Sequence, residues 1–204
     1  MLKTKLLTLA LATTVAALAT TGSAQAATDY FMKVEVSPAS GEAPIKGESV
    51  DREFPQAIEI ESFSFGAENL TTIGSASGGA GTGKATFNEL TIDKAVDSTT
   101  PRFLKMLATG NHFASVEIIA RNSNPAGGTS VVPTRTLFNL AFVSKQEQSG
   151  SRGEAMHEKL TFAYGAIAQA TTSPASPTKP NVFTSWSVVT NTPIRDALAA
   201  PYRA

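Results

Sequence analysis

The sequence predicts a mainly β protein whose strands close into a barrel or closed sandwich, with one short amphipathic α-helix. Three observations carry that expectation. Apolar residues recur at every second position through most of the chain. Clusters of Gly, Pro, Ser and Asn interrupt the alternation at short intervals. Only residues 100–110 combine a helical apolar arc with start and stop signals.

The chain has 204 residues, and the first 26 read as a secretory signal peptide. Lys3 and Lys5 form a basic start, residues 6–19 are uncharged and rich in Leu, Ala and Val, and Ala24-Gln25-Ala26 supplies a small-x-small cleavage site. No other stretch reads as a membrane span, so no membrane insertion is expected after cleavage. Without Cys there is neither a lipid-anchored N-terminus nor a disulfide framework. The mature chain would start at Ala27. Removing two of the 17 basic residues leaves 15 against 17 acidic ones, a balance that does not favour nucleic acid as a partner.

Within the mature chain, residues 30–36 form the first expected strand. A Pro/Gly/Ser-rich loop over 37–55 follows, long enough to suggest a use. In residues 58–65 the apolar phase slips between Ile58/Ile60 and Phe63/Phe65, and a β-bulge would turn both pairs to the core. A Gly/Ser-rich run covers 74–83, and alternation resumes over 84–92. The helix is expected to start at Thr100 as N-cap with Pro101 at its first position, and to stop at Gly110. Phe103, Leu104, Met106 and Leu107 share its apolar arc, opposite Arg102, Lys105 and Thr109. Three more strands are expected over 114–121, 131–145 and 156–164. The middle one places Phe138, Leu140 and Phe142 on one face and Leu137, Ala141 and Val143 on the other, as if covered from both sides. Residues 169–181 read as a Ser/Thr/Pro-rich loop within a domain of 27–191. A strand around Trp186 closes that domain, and 192–204 read as a flexible tail.

Chemistry-bearing patterns are sparse. Residues 78–84 approach a phosphate-binding loop, but Ala85 stands where a metal-binding Ser or Thr is needed and a strand follows instead of a helix. His112 and His157 have no neighbouring ligands at metal-site spacing, so no metal or other cofactor is expected. Glu59 and Glu61 share a strand face and could form an acid pair, although a solvated face is the more common meaning. Trp186 could stack a sugar, or serve as a core or interface aromatic. No complete catalytic set is visible, so the chain is expected not to be an enzyme.

An ordered set of segments resembles the Hcp family (haemolysin-coregulated protein), the tube subunits of bacterial type VI secretion systems. They are Ser62-Phe63-Ser64-Phe65-Gly66, Gly81-Thr82-Gly83-Lys84 and Leu90-Thr91-Ile92-Asp93-Lys94. The helix entry Asp97-Ser98-Thr99-Thr100-Pro101 and the exit Gly110-Asn111-His112 follow. Glu158-Lys159-Leu160-Thr161-Phe162-Ala163 and residues 183–191, with Trp186 and Asn191, complete the set. The resemblance implies two β-sheets closed into a barrel with one flanking helix. It also implies a non-catalytic subunit of a hexameric ring, with rings that stack into a tube. The expected partners are further copies of the chain, with spike, sheath or effector proteins beyond them. Pro44, Gly47, Gly78, Gly79, Gly81, Gly83 and Trp186 are the expected inter-subunit or ring-stacking contacts. Type VI tube subunits normally lack a signal peptide, so this chain would be an exported variant, periplasmic or extracellular. The alternative is a secreted peptide- or glycan-binding module.

Overall fold

The computed structural model describes residues 27–72, 81–122, 131–173, 175–176 and 181–194. Eleven strands are described: β1 (Thr28–Val36), β2 (Ile58–Ile60), β3 (Ser62–Ser64), β4 (Ala67–Thr72), β5 (Gly81–Phe87), β6 (Leu90–Ala95), β7 (His112–Asn122), β8 (Val131–Ser149), β9 (His157–Thr171), β10 (Val182–Ser187) and β11 (Thr192–Pro193). One α-helix is described, α1 (Thr100–Thr109), between β6 and β7, besides a single 3-10 turn at Pro38–Ser40. No described helix is long and apolar enough to cross a membrane, which says nothing of strands.

Nine strands form one sheet in the order β11-β10-β9-β8-β7-β1-β2, with β6 paired to both β9 and β3. All the ladders are antiparallel. β4 and β5 form a separate two-stranded sheet. β9 is the organising strand. β8 runs along one edge of it, and the other edge is divided between β6, opposite 157–162, and β10, opposite 166–171.

The expected barrel does not form, because neither sheet is closed. The two ends of the large sheet approach one another at residues 58–64, where β2 bonds to β1 and β3 bonds to β6. The chain bends at Glu61 between them, and neither three-residue strand bonds to both edges. The same bend accounts for the phase slip between the apolar pairs. Ile58 and Ile60 are buried, and Phe63 and Phe65 pack half-buried against the same core.

The main core gathers Met32, Ile92, Phe113, Phe138, Leu160 and Phe162 with the inward side of α1. Each such burial contributes roughly 1.5–3 kcal/mol. Phe103 and Met106 are the buried residues of the helix's apolar arc, and Phe103 meets Phe162 edge-on at 6.1 Å. Leu104, expected on that arc, is instead 53% exposed. The helix also starts one residue early. Thr99 is the cap position, and the Thr100 hydroxyl is turned inward. Gly110 ends the helix in a left-handed conformation, φ 67°, as its lack of a Cβ permits.

In β8 the expected faces are redistributed. Leu140 has φ 52°, and the register skips it between Asn139 and Ala141 in both flanking ladders. The register is the same on either side of it, but the alternation breaks there, which turns Phe138, Ala141 and Val143 to the core together and leaves Leu140 and Phe142 exposed at 45% and 37%. β9 runs to Thr171, so the Ser/Thr/Pro-rich segment begins after that residue rather than at Gln169. A second, smaller core lies on the outer face of the sheet. There Phe31 and Ile119 are covered by Phe54 and Ala57, from the end of the long 37–57 segment.

Candidate assembly surfaces and their ionic supports

Two recesses and one exposed apolar set stand out. The first recess, about 440 Å³, runs along the start of β1 and is lined by Thr28, Asp29, Val50, Asp51, Glu59, Glu61 and Arg121, among others. Its floor is organised by Arg121 on β7. That guanidinium donates to Asp29 at 2.7 Å and bonds to Asp51, with Glu53 at 3.9 Å. Its plane also lies over Phe31, 5.0 Å from the ring centre, and 5.9 Å from Phe54. Burial alone would raise the pKa of Asp51. The bond from Arg121 and the backbone N–H groups of Phe54 and Glu53 outweigh it and hold the carboxyl below its ordinary value. Asp51 also accepts the N–H of Glu53 at 2.8 Å and of Phe54 at 3.0 Å, so the ion pair doubles as a turn clamp. This fixes the long segment against the sheet and leaves Val50 projecting, 96% exposed.

The second recess, about 320 Å³, is apolar and is lined by Phe65, Phe87, Ile167 and Trp186, with Gln169, Thr184 and Ser185 among its polar neighbours. Trp186 is half-buried against the main core and donates its indole N–H to Asn191 at 3.2 Å. The exposed apolar set comprises Leu140 and Phe142 on β8 and Val189 beyond β10. His112 lies on Phe142 at 5.2 Å between ring centres. Val189 joins Leu140 through β9: its N–H bonds to the carbonyl of Gly165, and a Cβ on Gly165 would come within 3.0 Å of Leu140 Cδ2.

Behind these surfaces lies a dry ionic network that ties the helix to the sheet. Lys94 and Glu158 are cross-strand partners, both with fully buried side chains, 2.8 Å apart. Lys94 also reaches Asp97 at 2.7 Å and the carbonyl of Ala95 at 2.8 Å. Glu158 accepts from Thr100 Oγ1 and from Gln146 Nε2, both at 2.7 Å. Burial would raise the pKa of Asp97. Lys94 and the hydroxyl and N–H of Thr99 reverse that effect and hold the pKa below its ordinary value. Lys94 thus has three acceptors for its three donors, the condition under which a buried ammonium is tolerated.

The expected contact residues fall in different places. Pro44 is exposed on the long segment. Gly47 serves a close approach: a Cβ there would lie 2.2 Å from the carbonyl oxygen of Ala57. Gly81 and Gly83 belong to β5, whose backbone pairs with β4. Gly78 and Gly79 lie outside the described residues, as does Ala80 of the phosphate-loop-like run. Trp186 lines the apolar recess. Glu61 bonds to His157 Nδ1 at 3.1 Å. Among the described residues no group of three His, Cys, Asp or Glu side chains could hold a metal ion.

Sequence reasoning missed Lys94, Glu158, Arg121 and the turn at Leu140. A signal for the first two was present. Lys94 continues the inward phase of Leu90 and Ile92, and Glu158 precedes Leu160 and Phe162 in phase. A charge on the apolar side of an alternation calls for a buried partner.

A family model described as "Type VI secretion system effector, Hcp" matches residues 31–170, more than half of the chain. Similar solved structures include a type six secretion system protein, 24% identical over 82% of this chain and 100% of that one, with a TM-score of 0.70. Hcp1 from Salmonella typhimurium is 23% identical over 82% and 99%, with a TM-score of 0.64. The secreted protein Hcp3 from Pseudomonas aeruginosa is 16% identical over 79% and 98%, with a TM-score of 0.56. No curated protein matches the sequence.

Proposed function

Because this chain belongs to the Hcp family of type VI secretion proteins, we propose that it is a non-catalytic structural subunit that is exported and assembles with copies of itself into a hexameric, stackable ring. The observation that carries the reading is the family match across β1 to β9, together with the apolar set Leu140, Phe142 and Val189 left on the outer face. Exposed apolar side chains on a two-sided strand are best satisfied by an identical neighbour, and a closed ring leaves none unpaired. The long segment with Pro44 and exposed Val50 would then contact the next ring, as would the glycine run of residues 78–83. Spike, sheath and effector proteins are partners at the level of the family. Export rests on the leader of residues 1–26, which would be removed before assembly.

Light scattering after size exclusion, followed by negative-stain microscopy of the mature protein, tests the reading. Rings are expected from the parent chain, and smaller species from a Leu140→Asp/Phe142→Asp variant. A parent that stays monomeric at high concentration would sink the proposal.

A second reading is favoured by one feature, the apolar recess beside Trp186. There the chain is a secreted module that holds an apolar peptide side chain or a sugar face. Ligand-dependent change in Trp186 fluorescence, lost in Phe87→Ala, would support it. A flat response across a peptide and glycan screen would remove it.

A further inference from the structure

The apolar recess stands beside the point where the chain turns back on itself. Phe65, Phe87, Ile167 and Trp186 form its walls, Gln169, Thr184 and Ser185 give it a polar corner, and no Asp, Glu, Lys or Arg lines it. Phe65, Phe87 and Trp186 are all only partly buried. At about 320 Å³ the recess is at the small end of the ~300–1,000 Å³ of ligand pockets, with room for a side chain or two. Asn191, left-handed at φ 55°, accepts the indole N–H of Trp186 where the chain reverses. β11 then runs back along β10, with Thr192 opposite Ser187 and Pro193 opposite Trp186. Ile194 holds on for one residue more. Its N–H donates to the carbonyl of Ser185 at 3.2 Å, and the Ser185 hydroxyl donates to its carbonyl at 2.5 Å. Since Ser185 lines the recess, the chain is delivered to its lip.

Residues 195–204 start from that lip and lie outside the described residues. Their sequence matches the recess in charge. Arg195-Asp196 and Arg203 flank the uncharged run Ala197-Leu198-Ala199-Ala200-Pro201-Tyr202. Such a run can cover an uncharged recess while its charged ends stay in water. Leu198 is four residues beyond Ile194 and Tyr202 eight, a reach of up to roughly 13 and 26 Å, so both can return to it. A tyrosine also suits the mixed lining, its ring against the aromatic walls and its hydroxyl at the polar corner. We propose that residues 195–204 fold over this recess and occupy it, with Tyr202 seated against Trp186 and Leu198 beside it. The chain then carries its own occupant, and a peptide or sugar must displace it to bind. The inference rests on neither reading above, since it requires no ring and no export.

Trp186 is the only tryptophan of the chain, so its emission reports on this recess alone. Emission and its quenching by acrylamide are compared in the parent and in Leu198→Ser/Tyr202→Ser, each at low and high protein concentration, with light scattering alongside. The variant should emit further to the red and be quenched more readily. A synthetic peptide of residues 195–204 should reverse both changes, half-way at or below about 1 mM, because a short tether supplies an effective concentration of that order. Identical emission in parent and variant, blind to the peptide, overturns the proposal. So does a change in the variant that the peptide leaves untouched, because no vacated site would then exist. Emission that follows protein concentration and ignores the substitutions gives the recess to a second copy and overturns the proposal as well. A parent that forms no rings would remove the assembly reading and leave this comparison intact.

Discussion

Two ionic clusters in this molecule use the same residue types to different ends. The network of Lys94, Asp97 and Glu158 is dry, joins β6, β9 and the helix entry, and places each Lys94 donor on an acceptor. The cluster around Arg121 is partly wet, with Asp29 39% exposed, and joins β7, the start of β1 and the long segment. In the first, the cost of desolvation is already met, and removing one partner would strand the others. In the second, water can replace a lost partner, so the energy at stake is small and stacking on Phe31 and Phe54 supplies much of it. Burial, rather than the number of charges, sets what each cluster contributes.

Breaking the dry cluster gives the largest expected effect. Lys94→Met should cost about 3–5 kcal/mol in urea denaturation at pH 7, because two carboxylates lose their shared cation. A cost below about 1 kcal/mol would mean that the clusters do not differ in kind. Next, Gly47→Ala should cost about 2–3 kcal/mol, since the new Cβ meets the Ala57 backbone and displaces the segment that carries Asp51. Proteolysis within residues 41–57 should then accelerate. Arg121→Lys keeps the charge but loses the fork and the stacking, and should cost only about 1 kcal/mol. The smallest effect is that of pH. Asp97 and Asp51 both have lowered folded pKa values, so the stability they contribute is present above the ordinary carboxylate range. It should be lost as pH falls below ~4 through the folded values. Thermal midpoints followed from pH 6 to 2 should show that loss in the parent, and a shallower one in Lys94→Met.

Much of the strand order was legible because it is written locally. The alternations of β6, β7 and β9 and the arc of α1 appear in single stretches, and each places its apolar side on the core. Closure was not legible. It depends on whether residues 58–64 bond to β1 and β6 at once, and the bend at Glu61 is decided by partners far along the chain. Faces in β8 were misread for a related reason: one left-handed residue, Leu140, reverses the phase as far as Val143, and a register shift between Val143 and Lys145 changes it again. At the candidate site, Trp186 could be seen as a core or interface aromatic, and it packs half-buried against the main core. Gly47 could not be recognised as a contact glycine of the fold, because the carbonyl it accommodates is ten positions away.

The divided edge of β9 has a consequence in time. Its neighbours β6 and β10 lie on opposite sides of it in sequence, so the large sheet lacks its organising strand until residue 171 is available and its full width until residue 193. Pairings of such long reach form slowly. A chain threaded through a pore with its N-terminus leading would keep its early strands unlocked until most of its length had passed, and topology alone would delay the knotting of the thread.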